Sequence, residues 1–378
     1  MVEFLNLMEN WDGFAPVASR SVNEAALART LDLITNASGM SSIRHRYLLE
    51  EAITTSDFPT LFGGVLDRQM LALYKQALPA WRAYIPTGTL ADFRVAELHK
   101  VSGNEQLLPI VKEKEEYPIT PMATGHYHRQ LFKRGRKFDI SWESLINDSM
   151  GAFADMATRF ANAALYTEAW LASSIYVDAT GPAVGLFGAP IVDPADGQAI
   201  TNLGVLPLTI ANLQTTLQLI ALQTDIQGRP LGIRGTHLVV PPQLEFTARA
   251  ILTSALVQWT EVGAGAGIPV PTTNILPQLG IQLHVDPLLP VIDATATDDT
   301  TWYVFADRSQ GKFGQMEYLR GHETPEICMK ASNKVTMGGQ LIDPMGGDFD
   351  SDDVLYRVRM VGGSEPLDPR YCYAHRAP

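Results

Sequence analysis

Cysteine is scarce in this chain: 378 residues carry two, Cys328 and Cys372. A stapled scaffold needs more of them at closer spacing, so a disulfide framework is excluded, and both are expected to be free thiols in a reducing cytoplasm. No run reaches the ~18 consecutive apolar residues of a membrane span. The opening stretch MVEFLNLMENWDGF is acidic and lacks the basic start of a secretion signal. Positive charge is short as well, with a net charge of −12. That balance argues against a direct grip on nucleic acid, which calls for a basic surface. Internal repeats, low-complexity tracts, a GxxxxGK[ST] loop and a GxSxG turn are all missing.

What is present is an ordinary globular balance, 46% apolar and 19% charged, in a chain long enough for two or three lobes. Residues 1–55 read as an arm with too little apolar surface for its own core. Its clearest helix runs from Ser21 to Leu33, with Ser21 and Glu24 as a capping box. Leu66, Met70, Leu73, Tyr74 and Ala77 share one helical face, which Pro79 and Trp81 end. From 87 to 140 the chain turns to short strand patterns (DFRVAEL, LLPIVK, HYHRQLF, KFDIS) and dense charge. Neither face looks continuously apolar, so a long charged hairpin projecting from the body is expected. Residues 141–172 give the strongest helix signal, with Ser141 as cap and apolar residues from Trp142 to Leu165 at spacings of three and four. At full length it would span roughly 48 Å.

Residues 181–325 read as a mixed α/β lobe. Leu208–Thr224 and Gln243–Leu256 are helix patterns, and THLVVPP, Ile281–Asp286 and TWYVFA are strands. The glycine- and proline-rich GAGAGIPVPTTN at 263–274 reads as a link. Its Gly263, Gly265 and Gly267 imitate part of a dinucleotide fingerprint, but a helix pattern precedes them and Pro269 follows, which is the wrong context. EICMKAS, VLYRVRMVGG and PLDPRYCYA are closing strands. The expected class is α+β.

Little chemistry stands out. His126 and His128 share a strand face and with His99 would offer imidazoles to a metal. No carboxylate falls at a matching spacing, so a polar hairpin face is the better reading and no metal site is expected. Asp298–Asp299 and the cluster Asp348, Asp350, Asp352, Asp353 read as solvated turns, since the closing Glu of a calcium loop is missing. No catalytic constellation and no cofactor are expected.

The order of these parts resembles the major capsid proteins of tailed bacteriophages, the Hong Kong 97-type fold. The resemblance covers roughly residues 50–378. TTSDFPTLFGGVLDRQMLALY is similar to the segment that ends the arm. The charged stretch 87–140 is similar to the extended E-loop, Gly135–Asp148 to the start of the spine helix, and GPAVGLFGAP to the link into the next lobe. FDSDDVLYRVRMVGGSEPLDPRYCYAHRAP is similar to the closing strands.

The resemblance implies an N-terminal arm at 1–60 and an extended E-loop hairpin at 87–140. It implies a P-domain at 61–86, 141–180 (the long spine helix) and 326–378, and an A-domain at 181–325. It implies a non-enzymatic shell subunit forming hexamers and pentamers in a virion assembled in the host bacterial cytoplasm. Partners would be other copies of itself, and portal, scaffold and decoration proteins. Packaged double-stranded DNA would be met indirectly, and acidic inner walls would keep it from sticking; no membrane is involved. Many relatives lose a long N-terminal scaffolding segment. Only about 50 residues precede the matching region here, so no cleavage and a separate scaffold protein are expected. Some relatives crosslink an E-loop lysine to a neighbour. Lys100, Lys112, Lys114 and Lys133 are available, as they would be in any charged hairpin.

Inter-subunit contacts are expected from Lys112, Glu113, Lys114, Glu115 and Glu116 and from the basic run Arg129, Lys133, Arg134, Arg136 and Lys137. That run would pair with acidic groups such as Glu113, Glu115 and Glu116 of a neighbour; contact with DNA and a merely solvated face are its other readings. Gly263, Gly265 and Gly267 would then form an A-domain loop at the capsomer axis. An encapsulin-type nanocompartment shell is the alternative within the same fold, and a cytosolic hydrolase the alternative outside it.

Overall fold

A computed structural model describes residues 70–75, 79–102, 108, 110–117, 119, 123–141, 150–254, 256–259, 270–330, 337, 349–350 and 353–377. The expectations for residues 1–60, Leu66, Ala77, Gly263, Gly265, Gly267, Asp348 and Asp352 lie outside the described residues. In chain order the elements are β1 (Thr87–Leu90), β2 (Ala96–Ser102), β3 (Ala123–Arg129), β4 (Phe132–Ser141) and α1 (Met150–Ser173). Two short ribbons follow, β5–β6 (Val177–Asp178, Gly181–Pro182) and β7–β8 (Ile191–Val192, Ala199–Ile200). Then come β9 (Leu203–Gly204), α2 (Ile210–Ala221), β10 (Gly235–Val240), α3 (Glu245–Thr253) and the ribbon β11–β12 (Leu256–Trp259, Val270–Thr273). The chain ends with β13 (Gln282–Val285), α4 (Leu289–Ile292), β14 (Trp302–Ala306), β15 (Gly314–Leu319), β16 (Glu326–Met329), β17 (Asp353–Pro366) and β18 (Cys372–His375). The class is α+β.

Two compact units divide these residues. The larger contains Met70–Arg136, Thr158–Glu326 and Val358–Pro378. Its centre is a mixed five-stranded sheet in the order β13-β10-β14-β18-β9. β10 runs parallel to β13 and antiparallel to β14, which runs antiparallel to β18. The sequences LVV, WYVFA and CYA are continuous apolar runs because both faces of this sheet are covered. The period of two sorts them. Val239, Tyr303, Phe305, Cys372 and Ala374 enter one core with Leu171, Ala172 and Ile175. Leu238, Val240, Trp302, Val304 and Tyr373 enter a second core with Leu213 and Ile220 of α2 and Ala248 and Ile251 of α3. The β-branched and aromatic content suits these strands, and Pro241–Pro242 end β10 by removing its donors.

The first core is aromatic. Phe305 stacks on Phe313 at 4.1 Å and on Tyr84 at 5.4 Å, and meets Tyr176 edge-on at 5.1 Å. A second sheet joins β1, parallel to β15, with β17 antiparallel to β15 and also paired to β4. In the smaller unit Phe138 stacks on Tyr356 at 5.0 Å, and the Lys330 N–H donates to the Leu355 carbonyl at 2.8 Å. Both cysteines are free thiols, Cys372 buried and Cys328 half-buried.

Two expectations change. Ser141 is the last residue of strand β4, where a helix was expected to begin, and the described α1, Met150–Ser173, has 24 residues, roughly 36 Å, with 142–149 outside the described residues. The alternation in KFDIS keeps the chain extended through Ser141. The region 87–140 is also not one projecting hairpin. β1 and β4 are built into the second sheet, and β2 and β3 alone form the hairpin.

Phe305→Ala would empty the middle of the aromatic stack. It is expected to lower the unfolding free energy by about 3–5 kcal/mol, read as a drop in the urea midpoint with unchanged slope. A loss below about 1 kcal/mol would contradict this account of the core.

Candidate assembly interface

The β2–β3 hairpin is a seven-residue ladder from Ala96↔Arg129 to Ser102↔Ala123. Successive side chains of a strand point to opposite faces. Glu97, His99, His126 and His128 are exposed, while Leu98, Lys100 and Tyr127 turn inward. Leu98 and Tyr127 pack on Ala195 and Leu367, so the hairpin has one seated face. This inward face is not continuously apolar because Lys100 and Tyr127 use polar groups to bury themselves. Gly125 permits the close approach: a Cβ there would lie 1.4 Å from the Ala195 carbonyl oxygen.

Beneath the hairpin lies a cluster of charges. The Lys100 ammonium meets Asp368 at 2.6 Å, Asp193 at 3.0 Å and Asp196 at 3.3 Å. Arg370, 2% exposed, donates from Nη1 to Asp193 at 2.7 Å and from Nη2 to Asp196 at 2.6 Å and Gln198 Oε1 at 2.7 Å. Its Nε–H donates to the Thr224 carbonyl at 3.2 Å. The Tyr127 hydroxyl donates to Asp193 at 2.9 Å. Burial opposes charge on Arg370 and Lys100, but the carboxylates, led by Asp368, outweigh it and hold both cations above their ordinary pKa. Burial raises Asp196, but the Gln198 N–H, Lys100 and Arg370 hold its carboxyl below the usual range. Burial and then Asp368 and Asp193 push the Tyr127 phenol up.

Two Asp-Pro turns build this seat, Asp193-Pro194 and Asp368-Pro369. Each Asp accepts an N–H two residues on, from Ala195 and from Arg370, both at 3.0 Å. The remaining oxygens are thereby aimed at the cations. Asp-Pro is a readable turn signal, but nothing in one sequence says that two turns 175 residues apart share a cation.

The expected contact residues separate into two groups. Lys112, Glu113, Lys114, Glu115 and Glu116 are exposed in a turn closed by the Lys112 N–H on Glu115 Oε2 at 2.9 Å, with Lys114 at φ 65°. Beside them Leu108, Ile110, Tyr117 and Ile119 stand 79–95% exposed. Of the basic run, Lys133, Arg136 and Lys137 are exposed. Arg129 instead meets the fully buried Glu317 at 2.7 Å, and Arg134 donates to the Gly362 carbonyl at 3.1 Å. Those two are used inside the chain. Lys100 is committed to the charge cluster. The strand register also brings a carboxylate that sequence spacing misses, since Glu97 lies opposite His128.

Residues 129–375 match the family model described as phage capsid protein. The chain belongs to that family. It is therefore a structural protein of the virion. Among solved structures, the capsid of the cyanophage P-SCSP1u is 13% identical, with a TM-score of 0.48, over 80% of this chain and 90% of that one. The mature capsid of bacteriophage PhiM1 is 10% identical, with a TM-score of 0.44, over 80% and 87%. An encapsulin from Synechococcus elongatus is 9% identical, with a TM-score of 0.41, over 77% and 84%. Membership rests on the family match and not on these likenesses. No curated protein matches the chain. No helix among the described residues is long and apolar enough to cross a membrane.

Arg370→Met in this capsid chain would leave three carboxylates facing Lys100 alone. A loss of about 3–5 kcal/mol is expected in denaturant titrations. The pH dependence has two edges. Asp196, depressed in the fold, contributes stability above its unfolded value of about 3.9, and this is lost as pH falls through the lower folded value. Lys100, raised in the fold, contributes below its unfolded value of about 10.4, and this is lost as pH climbs past the folded one. The wild-type melting temperature should therefore fall at both edges, and the acid edge should be shallower in Arg370→Met.

Proposed function

We propose that this capsid chain is the major head protein of a tailed phage, built on the Hong Kong 97-type plan and assembling into the hexamers and pentamers of an icosahedral shell. Membership of the phage capsid family supports the shell role. The observation that carries the assembly reading is the segment between β2 and β3. Four large apolar side chains, Leu108, Ile110, Tyr117 and Ile119, are presented to solvent beside an alternating charged turn. Exposed apolar groups of this kind mark contact surfaces. The hairpin that bears them is held to the body by buried charge, so an extended arm with an apolar end would reach a neighbouring copy.

The work of such a protein is geometric, with no catalytic step. Contacts spread over several neighbours bury more surface per subunit than the ~1,200–2,000 Å² of a standard two-body interface. Exposed ion pairs from Lys112–Glu116, Lys133, Arg136 and Lys137 would set register more than strength, since each is worth ~0–1 kcal/mol. Portal, scaffold and decoration proteins are the further partners of this reading, and assembly takes place in the host bacterial cytoplasm.

Full-length protein viewed by negative-stain microscopy after size exclusion is expected as six-fold rings or closed shells. Ile110→Asp with Ile119→Asp should keep the far-ultraviolet circular dichroism and leave the protein as small species. A wild-type chain that stays monomeric or dimeric would overturn the proposal.

A further inference from the structure

The solvent face of the hairpin carries something that a contact arm does not require. Glu97 and His99 lie on β2, and His126 and His128 on β3, with Glu97 opposite His128 and His99 opposite His126. The four side chains therefore form a two-by-two block on one face of one ladder. Three of the eight histidines of the chain are gathered here. One donor atom from each of Glu97, His126 and His128 lies within 4.8 Å of the others. The rings of His126 and His128 are 4.9 Å apart, and those of His99 and His126 are 6.3 Å apart. The His99 Nε2 is 3.9 Å from the Glu97 carboxylate.

We infer that this face binds a divalent d-block cation, Zn²⁺ before others, through Glu97, His126 and His128, with His99 beside them. Two imidazoles and a carboxylate make a donor set that suits Zn²⁺, Co²⁺, Ni²⁺ or Cu²⁺ and not the oxygen-seeking Mg²⁺ or Ca²⁺. Metal–donor bonds of ~2.0–2.2 Å put tetrahedral donors about 3.3 Å apart. Exposed side chains close from 4.8 Å to that spacing by changes of side-chain torsion alone. The backbone beneath them does not move, because the ladder fixes the pairing and the Lys100–Arg370 cluster fixes the ladder. Three protein donors leave the fourth position to His99, to water or to a donor from outside the chain. This inference does not depend on the assembly proposal.

The test is calorimetric titration of untagged full-length protein with Zn²⁺, and its expected result is one ion per chain. His126→Ala with His128→Ala should weaken binding by about 10–100-fold or more, and Glu97→Gln should weaken it measurably. His322→Ala, at a half-buried His–Glu pair elsewhere (His322–Glu326), should leave it unchanged. Because a variant can fail for other reasons, Co²⁺ absorption of the unaltered protein is the second readout. It should show nitrogen and oxygen ligation without the intense near-ultraviolet band of a thiolate. No uptake, a thiolate band from Cys328, or undiminished binding in the double histidine variant would overturn the site.

Discussion

The extended part of this capsid chain depends on five charged groups buried under the β2–β3 hairpin. Lys100 comes from the hairpin, Asp193 and Asp196 from one Asp-Pro turn, and Asp368 and Arg370 from another. A two-stranded hairpin alone is marginal in water. Here its inward face has little apolar surface, mainly Leu98 and Tyr127, so packing by itself would hold it weakly. An apolar seat of the same volume would stabilise about as well as buried charge. What the charges add is position. Lys100 reaches three carboxylates only in one register, and a slip of one residue would turn it to the solvent face.

The rest of the larger unit repeats this use of buried charge. Glu168 lies fully buried on α1, where its carboxylate accepts from the Tyr74 and Tyr318 hydroxyls, the latter at 2.9 Å, and from Arg82 at 3.4 Å. Glu317 sits fully buried on β15 and receives Arg129. In each case a carboxylate from the body captures a group from a segment that precedes α1 in sequence. The two-faced central sheet supplies the bulk of the burial, and these pairs determine which outlying segment lies where.

Much of the central fold was legible in the sequence. LVVPP, TWYVFA and the RYCYA tail read as strands because β-branched and aromatic runs with proline stops have few other conformations open to them. The α2 and α3 patterns are placed to within a few residues. The order of segments led to the capsid family. The hairpin was less legible. Its inward positions are occupied by Lys100 and Tyr127, so the alternation of burial is invisible to a reading based on apolar residues. The carboxylate that completes the histidine face was missed for a related reason. Glu97 and His128 are 31 positions apart in sequence and adjacent only through strand register. Asp-Pro is a turn signal in principle, but the meeting of two such turns at Arg370 is a tertiary fact. Arg129 and Arg134 read as members of one inter-subunit contact run, yet their partners Glu317 and Gly362 lie more than 180 residues away in the same chain.

The most direct test of the charge-held hairpin is hydrogen–deuterium exchange in Lys100→Met, which keeps most of the length of the side chain and removes its charge. The account predicts that amides of β2 and β3 exchange much faster than in the wild type while those of β10 and β14 are unchanged. Unchanged exchange in the hairpin would contradict it, because apolar contacts alone would then hold the ladder in place.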